Sequence, residues 1–451
     1  MNYYIVLAIA IIGVLVQPIL VVKFRKVFYQ YLFLFIPVYL LIFRELYVRL
    51  THVYEIPDGI KMIRDVAWVY ILTCFILWIL LSRKRIHFPI KVGIPLIVFT
   101  GYLLIQLPRG YYELGELETT LVALRNTLMY IPTVLMALYM INDKDDLRMI
   151  IKGYCYVMIV AGLYGLIQMT FKMETVYYML SPENIAVRYL YSSFFSDYNA
   201  FGWFSGIVLS LTLPQKEVFR NKMWLYYLTI SLSIFWLIAS QSRTAIIVLI
   251  AVLLLMVIFK AIKLSNIVSI TLVFIFILAV LAILSAELLE GHRVMVGVFG
   301  DTRIIETWPI LWNTFKENPI FGYGFGVFGF AALRGGIDVA NIGGHIGVDN
   351  FYLTLALNTG IIGLLLFFAI MAIIFQSSFK LIRNSKDKFI KNLVIGITIA
   401  LVVNLIYAIP SNFLEGFPQS VHFWFLVGTV VAIGNLHRNT VKQWQGVSHS
   451  E

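Results

Sequence analysis

Charge is what this sequence has least of. Only 13% of its 451 residues are Asp, Glu, Lys or Arg, about half the share of an ordinary soluble domain, and that excludes one. Cysteine is scarcer still. Cys74 and Cys155 both fall in apolar runs, with no CxxC and no Cys/His cluster, which argues against a disulfide framework or a structural metal site. No fixed-period repeat is present, so the chain is not a solenoid. No pair of Gly/Pro-broken segments recurs in inverted order, the pattern expected of many transporters. A low-complexity linker is missing, and so is a basic leader before the first apolar run. That run therefore reads as a retained span and not as a removed signal peptide.

Apolar sequence fills the space. Mean hydropathy is +0.87, and apolar runs of 17 to 22 residues recur along the chain. Each is long enough to cross a hydrocarbon core about 30 Å thick at about 1.5 Å per residue. Spans are expected near 3–22, 31–48, 65–82, 89–107, 122–141, 149–171, 197–214, 224–240, 243–260, 266–285, 351–376, 389–409 and 419–436. The expected fold is an all-α polytopic membrane protein of about 12–13 transmembrane helices with one large extracytoplasmic loop containing short helices. Its parts are a helix bundle over 1–285, the loop over 286–350, C-terminal membrane helices over 351–437 and a cytoplasmic tail over 438–451.

The formal charge of +11 is spread over short connections, so it reads as topology and not as a nucleic-acid surface. Lys23, Arg25 and Lys26, then Arg83 to Arg85, Lys216 to Lys222 and Lys380 to Lys391 mark one set of loops as cytoplasmic. The loops near 108–120, 172–196, 286–350 and 410–418 then face outward, the last with no Lys or Arg. The sequence INDKDDL at 141–147 is a helix-start signal, with Asn142 or Asp143 as the cap.

Four outward clusters could carry chemistry. Arg188 precedes a span whose mouth holds Asp197 and Asn199. Arg243 opens a span after a very short turn. Arg303 lies in DTRIIETW, where pairing with Asp301 or Glu306 is the plainer reading. His345, Asp349 and Asn350 lie in HIGVDNFYL. Arginine is planar, permanently charged and bonds phosphate oxygens in pairs, so outward arginines suit a phosphate or pyrophosphate group. An arginine at a span end needs a snorkelling path or an anionic partner. Asp349 is the candidate base, since partial desolvation at a helix mouth would raise its pKa. The plainer alternative is that Asp349 or Asn350 caps the helix that follows. His345 is a second candidate base, and its plainer reading is a solvated loop histidine. PIFGYGFGVFG, 319–329, lacks GK[ST] and follows no strand, so it is neither a P-loop nor a dinucleotide site. The helix expected before it, over 302–318, shows a broad apolar face suited to the membrane surface or the bundle top.

The ordered set R-x4-W-x9-NP-x2-GYGFG from Arg303, DN-x-YL-x6-GIIGL from Asp349, the Ser242-Arg243 pair and the run from Arg188 to Asn199 and Gly202 resembles the O-antigen ligase and polymerase family. The resemblance runs over about 180–375. It implies a metal-independent, inverting glycosyltransferase of the GT-C kind, without a cofactor, at the outer face of the bacterial cytoplasmic membrane. Its donor and acceptor would be glycans on undecaprenyl pyrophosphate, with membrane lipid around them and a chain-length regulator protein as a partner, and with no role for nucleic acid. By the same resemblance Arg188 and Arg243 bind the donor pyrophosphate, Arg303 holds phosphate or acceptor, Asn199 and Asn350 line the substrate site, and the base sits at Asp349 or His345. Ligases of the family commonly carry His directly before the Asn, where this chain has Asp349, and the family's NPN reads DYN at 197–199. A polysaccharide polymerase is therefore favoured over a ligase acting on lipid A-core. A lipid-linked oligosaccharide flippase is the competing class.

Overall fold

The computed structural model describes residues 88–171, 173, 191–195, 197–240, 242–262, 307–329 and 348–447, with isolated positions between 68 and 76. Among them there are helices and turns but no strand. Six stretches are long and apolar enough to cross a membrane: Ile90–Leu114, Leu117–Met140, Lys144–Thr170, Phe351–Asn384, Lys388–Tyr407 and Gln419–Arg438. The chain is an all-α, multi-pass membrane protein. The spans expected at 3–22, 31–48 and 266–285, and nearly all of 65–82, lie outside the described residues.

The chain divides into two compact units. The second comprises His87–Ile141 and Val294–Glu451. It begins with α1 (Ile90–Leu114), α2 (Leu117–Leu128) and α3 (Thr133–Met140). The sequence predicts a loop over 108–120, but α1 continues to Leu114 through Pro108, and only Gly115 and Glu116 separate it from α2. Gly115 takes a left-handed φ of 69° and returns its N–H to the Tyr111 carbonyl, the usual glycine end to a helix. Pro132 sits in the turn that divides the expected span 122–141 into α2 and α3.

The first unit comprises Met1–Ile86 and Asn142–Arg293. Its described helices are α4 (Lys144–Thr170), α5 (Tyr198–Thr212), α6 (Met223–Ala239) and α7 (Arg243–Ile258). Asp143 caps α4 by accepting from the Asp146 N–H at 2.8 Å. Asp146 in turn accepts from the Asn142 N–H at 2.8 Å, so two otherwise orphaned donors are satisfied. The helices α5, α6 and α7 have 15, 17 and 16 residues. At about 1.5 Å per residue they cover about 22 to 26 Å, less than a full hydrocarbon core.

For α5 the cause of that shortness is visible in the residues ahead of it. Residues 191–195 are not helical, yet Tyr191, Phe194 and Phe195 are buried. Ser193 adopts a left-handed φ of 54°. Its hydroxyl donates to the Ala161 carbonyl at 2.8 Å, and its own carbonyl accepts from Gln168 Nε2 at 3.1 Å. Ala161 lies nine residues before the end of α4, about 14 Å down that helix. The segment therefore folds back into the bundle before α5 starts. Irregular backbone at that depth is tolerated because protein surrounds it and side chains take its polar groups. Phe195 stacks on Phe201 with ring centroids 5.4 Å apart, and Phe201 packs on Trp236 at 4.8 Å, whose indole N–H reaches the Gly162 carbonyl at 3.1 Å.

The second unit is completed by α8 (Trp308–Glu317), α9 (Phe351–Asn384), α10 (Lys388–Tyr407) and α11 (Gln419–Val447). α1 packs along α9, and α3 along α11. Gly428 of α11 lies against Val134 and Ala137 of α3, the small-residue contact that lets helices in lipid approach closely. The described part of the helix expected at 302–318 is α8. It buries Leu311 and Phe315 against Val327, Phe328, Val348 and Leu353 at the start of α9, and so lies on the bundle top. Trp312 and Ile310, on its other side, stay exposed.

Candidate functional site

α9 is not one straight helix. Gly360 has φ 67° and ψ −171°, which breaks the helical run and frees backbone groups on both sides. Four of the groups there have partners from elsewhere in the unit. The Leu357 carbonyl accepts from the Tyr323 N–H at 2.8 Å, and the Asn358 carbonyl from the Gly324 N–H at 3.0 Å. The Thr359 carbonyl takes the Tyr102 hydroxyl at 2.7 Å, and the Ile361 N–H reaches the Pro319 carbonyl at 2.8 Å. The side chain of Asn358 closes the arrangement. It accepts from the Phe328 N–H at 2.9 Å and donates to the Phe328 carbonyl at 3.0 Å.

The glycine-rich stretch 319–329 is thus a backbone clasp between α1 and α9. Its glycines are needed where the backbones touch. Gly324 has φ 104° and lies directly against the Arg109–Gly110 backbone of α1, so a Cβ there would meet main-chain atoms. Phe325 donates its N–H to the Gln106 carbonyl at 3.2 Å. Tyr323 ties the clasp to α8: its hydroxyl donates to Glu317 Oε2 at 2.8 Å, with the Thr314 carbonyl at 3.0 Å as the alternative acceptor. Burial, and then that bond to Glu317, push its pKa up, so it remains a donor at neutral pH. Gly324→Ala is expected to destabilise the protein by on the order of 3 kcal/mol, from left-handed strain plus displacement of α1. A thermal unfolding midpoint within about 1 °C of wild type in the same detergent would contradict the clasp.

The clasp and α8 hold the start of α9, where two of the candidate residues lie. Asn350 is the cap: its Oδ1 accepts from the Leu353 N–H at 3.0 Å. Asp349 is half-buried just ahead of it, so the carboxylate is a separate group at the helix mouth and is not the cap. The Phe351 N–H donates to the Ala408 carbonyl at 3.0 Å, which brings the connection after α10 alongside. The Thr354 hydroxyl, one turn on, donates to Asn412 Oδ1 at 2.8 Å.

Two further candidates lie in the first unit. Asp197 caps α5, accepting from the Ala200 N–H at 2.9 Å, and Asn199 is in the first turn. Arg243 is the first residue of α7 and is half-buried, with Ser242 before it. α5 and α7 pack on one another, and by connectivity they run the same way, so Asn199 and Arg243 share one end of the unit. A cation there faces the positive end of its own helix dipole, which is unfavourable unless an anion is present. Arg188, Arg303 and His345 lie outside the described residues. Among the described residues no three His, Cys, Asp or Glu side chains converge as metal ligands would. Sequence reasoning passed over Asn358, whose side-chain amide holds Phe328 of the clasp.

Residues 228–368 match the family model described as O-antigen ligase. The matched segment runs from α6 to the first half of α9, so it includes Arg243, the clasp, Asp349 and Asn350. It supports the O-antigen ligase and polymerase family and a membrane glycan-processing function. No curated protein matches the chain.

Proposed function

We propose that this chain is a membrane glycosyltransferase that polymerises undecaprenyl-pyrophosphate-linked oligosaccharide repeat units into a surface polysaccharide. It acts at the outer face of the bacterial cytoplasmic membrane, by inversion and without a metal ion. The observation that carries the reading is the pair of charges within the matched segment, a half-buried cation opening α7 and a half-buried carboxylate ahead of α9.

Placement of Arg243 favours an anion held below the membrane surface. If the inner end of α7, at Phe259 and Lys260, marks the inner boundary, its 16 residues put Arg243 about 24 Å across a core of about 30 Å. A lipid-linked pyrophosphate, whose own place is the headgroup layer, would meet Arg243 if the protein draws it a few ångströms inward. In the reaction, the acceptor sugar hydroxyl attacks the anomeric carbon of the donor glycan. Asp349 takes the hydroxyl proton, the new C–O bond forms, and the bond from the anomeric carbon to pyrophosphate oxygen breaks with its electron pair leaving on the phosphate. Arg243, with Arg188 and Arg303, stabilises the charge that grows on that leaving group, where preorganised positive charge accelerates most. His345 is the alternative base.

A ligase reading is favoured by the matched family's own description. The two differ in acceptor, a second lipid-linked repeat unit or lipid A-core. A flippase differs in what accumulates without it. Cells carrying an inactive chain are expected to accumulate single lipid-linked repeat units on the outer leaflet, accessible to an impermeant lectin. Accumulation on the inner leaflet would remove the glycosyltransferase reading.

A further inference from the structure

At the end of the first unit opposite Asn199 and Arg243, the connection from α5 to α6 forms a short 3-10 turn, Lys216–Phe219. The turn, the first half of α4 and the start of α6 enclose a pocket of about 400 Å³. Lys152 and Tyr156 of α4 line it, with Glu217 and Arg220 of the connection and Lys222 and Leu225 at α6. Three cations and one carboxylate leave the pocket with a charge of +2. Among the described residues no ion pair joins Lys152, Arg220 or Lys222 to an acid. Packing fixes the floor. Phe219 is buried and packs on Tyr226 with ring centroids 5.9 Å apart, and the Tyr226 hydroxyl donates to the Leu213 carbonyl at 2.9 Å. The Lys222 N–H donates to the Phe219 carbonyl at 2.7 Å, which sets the path of the chain past Arg220.

The surface onto which the pocket opens distinguishes a lipid from a free anion. Lys152, Tyr156, Val160, Leu163 and Ile167 follow at steps of three or four residues, so they share one face of α4. From Tyr156 onward that face is exposed apolar surface. The charges of α4 all lie between Lys144 and Lys152. Its 27 residues cover about 40 Å, about 10 Å more than a hydrocarbon core. The surplus therefore belongs to the charged end, and Lys152 stands at headgroup depth with the apolar stripe beginning beneath it. Trp224 and Tyr227, exposed at the start of α6, are residues that a membrane interface favours. Lys216 to Lys222 are among the residues expected to mark the cytoplasmic side.

We propose that this pocket binds an anionic phospholipid of the inner leaflet, its phosphate held by Lys152, Arg220 and Lys222 and one acyl chain lying along the α4 stripe. Arg220 can give a phosphate two parallel bonds, and the lysines add charge. Basic pockets between helices at the cytoplasmic face suit such headgroups. A free phosphate would use the cations and leave the stripe bare, whereas a phospholipid uses both. Bound in this way, the lipid ties α4 to the connection and to α6 at the membrane surface. The site lies at the other end of α5 and α7 from Asn199 and Arg243, so it stands or falls independently of the glycosyl-transfer reading.

The probe is phosphatidylglycerol with a fluorophore on one acyl chain, titrated onto purified full-length protein in an uncharged detergent. Saturable binding is expected. Unlabelled phosphatidylglycerol should displace the probe at least about 10-fold better than phosphatidylcholine or inorganic phosphate does. Lys152→Ala, Arg220→Ala and Lys222→Ala should each weaken binding about 3- to 10-fold, the effect of one cation beside an anionic headgroup. Glu217→Gln removes the carboxylate of the pocket and should tighten binding about 2- to 5-fold. As a control, Lys380→Ala with Arg383→Ala takes two exposed cations from α9 and should leave the affinity within about twofold of wild type. Wild-type affinity in a variant lacking all three pocket cations would overturn the site. Equal weakening in the α9 control would do the same, as the mark of unspecific attraction to a basic surface. Displacement by inorganic phosphate as effective as that by phosphatidylglycerol would overturn the lipid assignment. If the triple variant does not stay monodisperse, the three single variants decide.

Discussion

Asp349→Asn is expected to lower polymer synthesis about 100- to 10,000-fold, the range for loss of a positioned general base. The protein should fold as before, because the cap of α9 is made by Asn350 and not by Asp349. Asparagine has nearly the same shape and can still hydrogen-bond a hydroxyl, but it cannot take the proton. The comparison therefore isolates basicity from packing. Synthesis within about threefold of wild type would remove Asp349 from the proton's path. Should His345→Ala then abolish synthesis while Asp349→Asn does not, the base is His345. Asp349→Glu keeps the carboxylate but advances it by one methylene, and a partial return of activity is expected from it.

Arg243→Ala carries the second large effect. Loss of one preorganised donor to the leaving group costs about 100- to 1,000-fold in turnover. Arg243→Lys should recover only part of this, since an ammonium cannot make the paired contact to phosphate oxygens. The activity of the folded variant separates function from snorkelling. The protein that folds as Arg243→Ala should have lost its activity, whatever the change in its thermal midpoint. A residue that only anchors a helix end in the interface would give the reverse: a lower midpoint, with activity kept in the protein that remains folded.

Local rules made much of this fold legible. The start of α4 follows from INDKDDL, where Asp143 takes the N–H it is spaced to reach. The apolar run 389–409 became Lys388–Tyr407. What could not be read has a common cause. The extension of α1 past Pro108 to Leu114 contradicts the residues themselves, since Pro108 and Gly110 look like breakers. It is held by a clasp from a remote part of the chain, through Phe325 on Gln106 and Gly324 on Gly110. The break at Gly360 is hidden for the same reason: NTGIIGL continues an apolar run, and only the groups supplied by Pro319, Tyr323, Gly324 and Tyr102 make a break affordable there. The short α5 depends on Ser193 finding Ala161 and Gln168.

The candidate site divides along the same line. Arg243, Asn199, Asp349 and Asn350 stand where sequence spacing puts them, at the starts of helices. The distinction between Asp349 and Asn350, one at the helix mouth and one in the cap, needed coordinates, because both side chains are able to cap.

Purified protein in liposomes, given the lipid-pyrophosphate-linked repeat unit as sole substrate, with chelator present and no lipid A-core, tests the polymerase most directly. A ladder of lipid-linked glycans, each rung longer by one repeat unit, is the predicted result, and Asp349→Asn should leave only the first rung. A single unreacted species from the wild type, shifted only once lipid A-core is added, would contradict the account and make the chain a ligase.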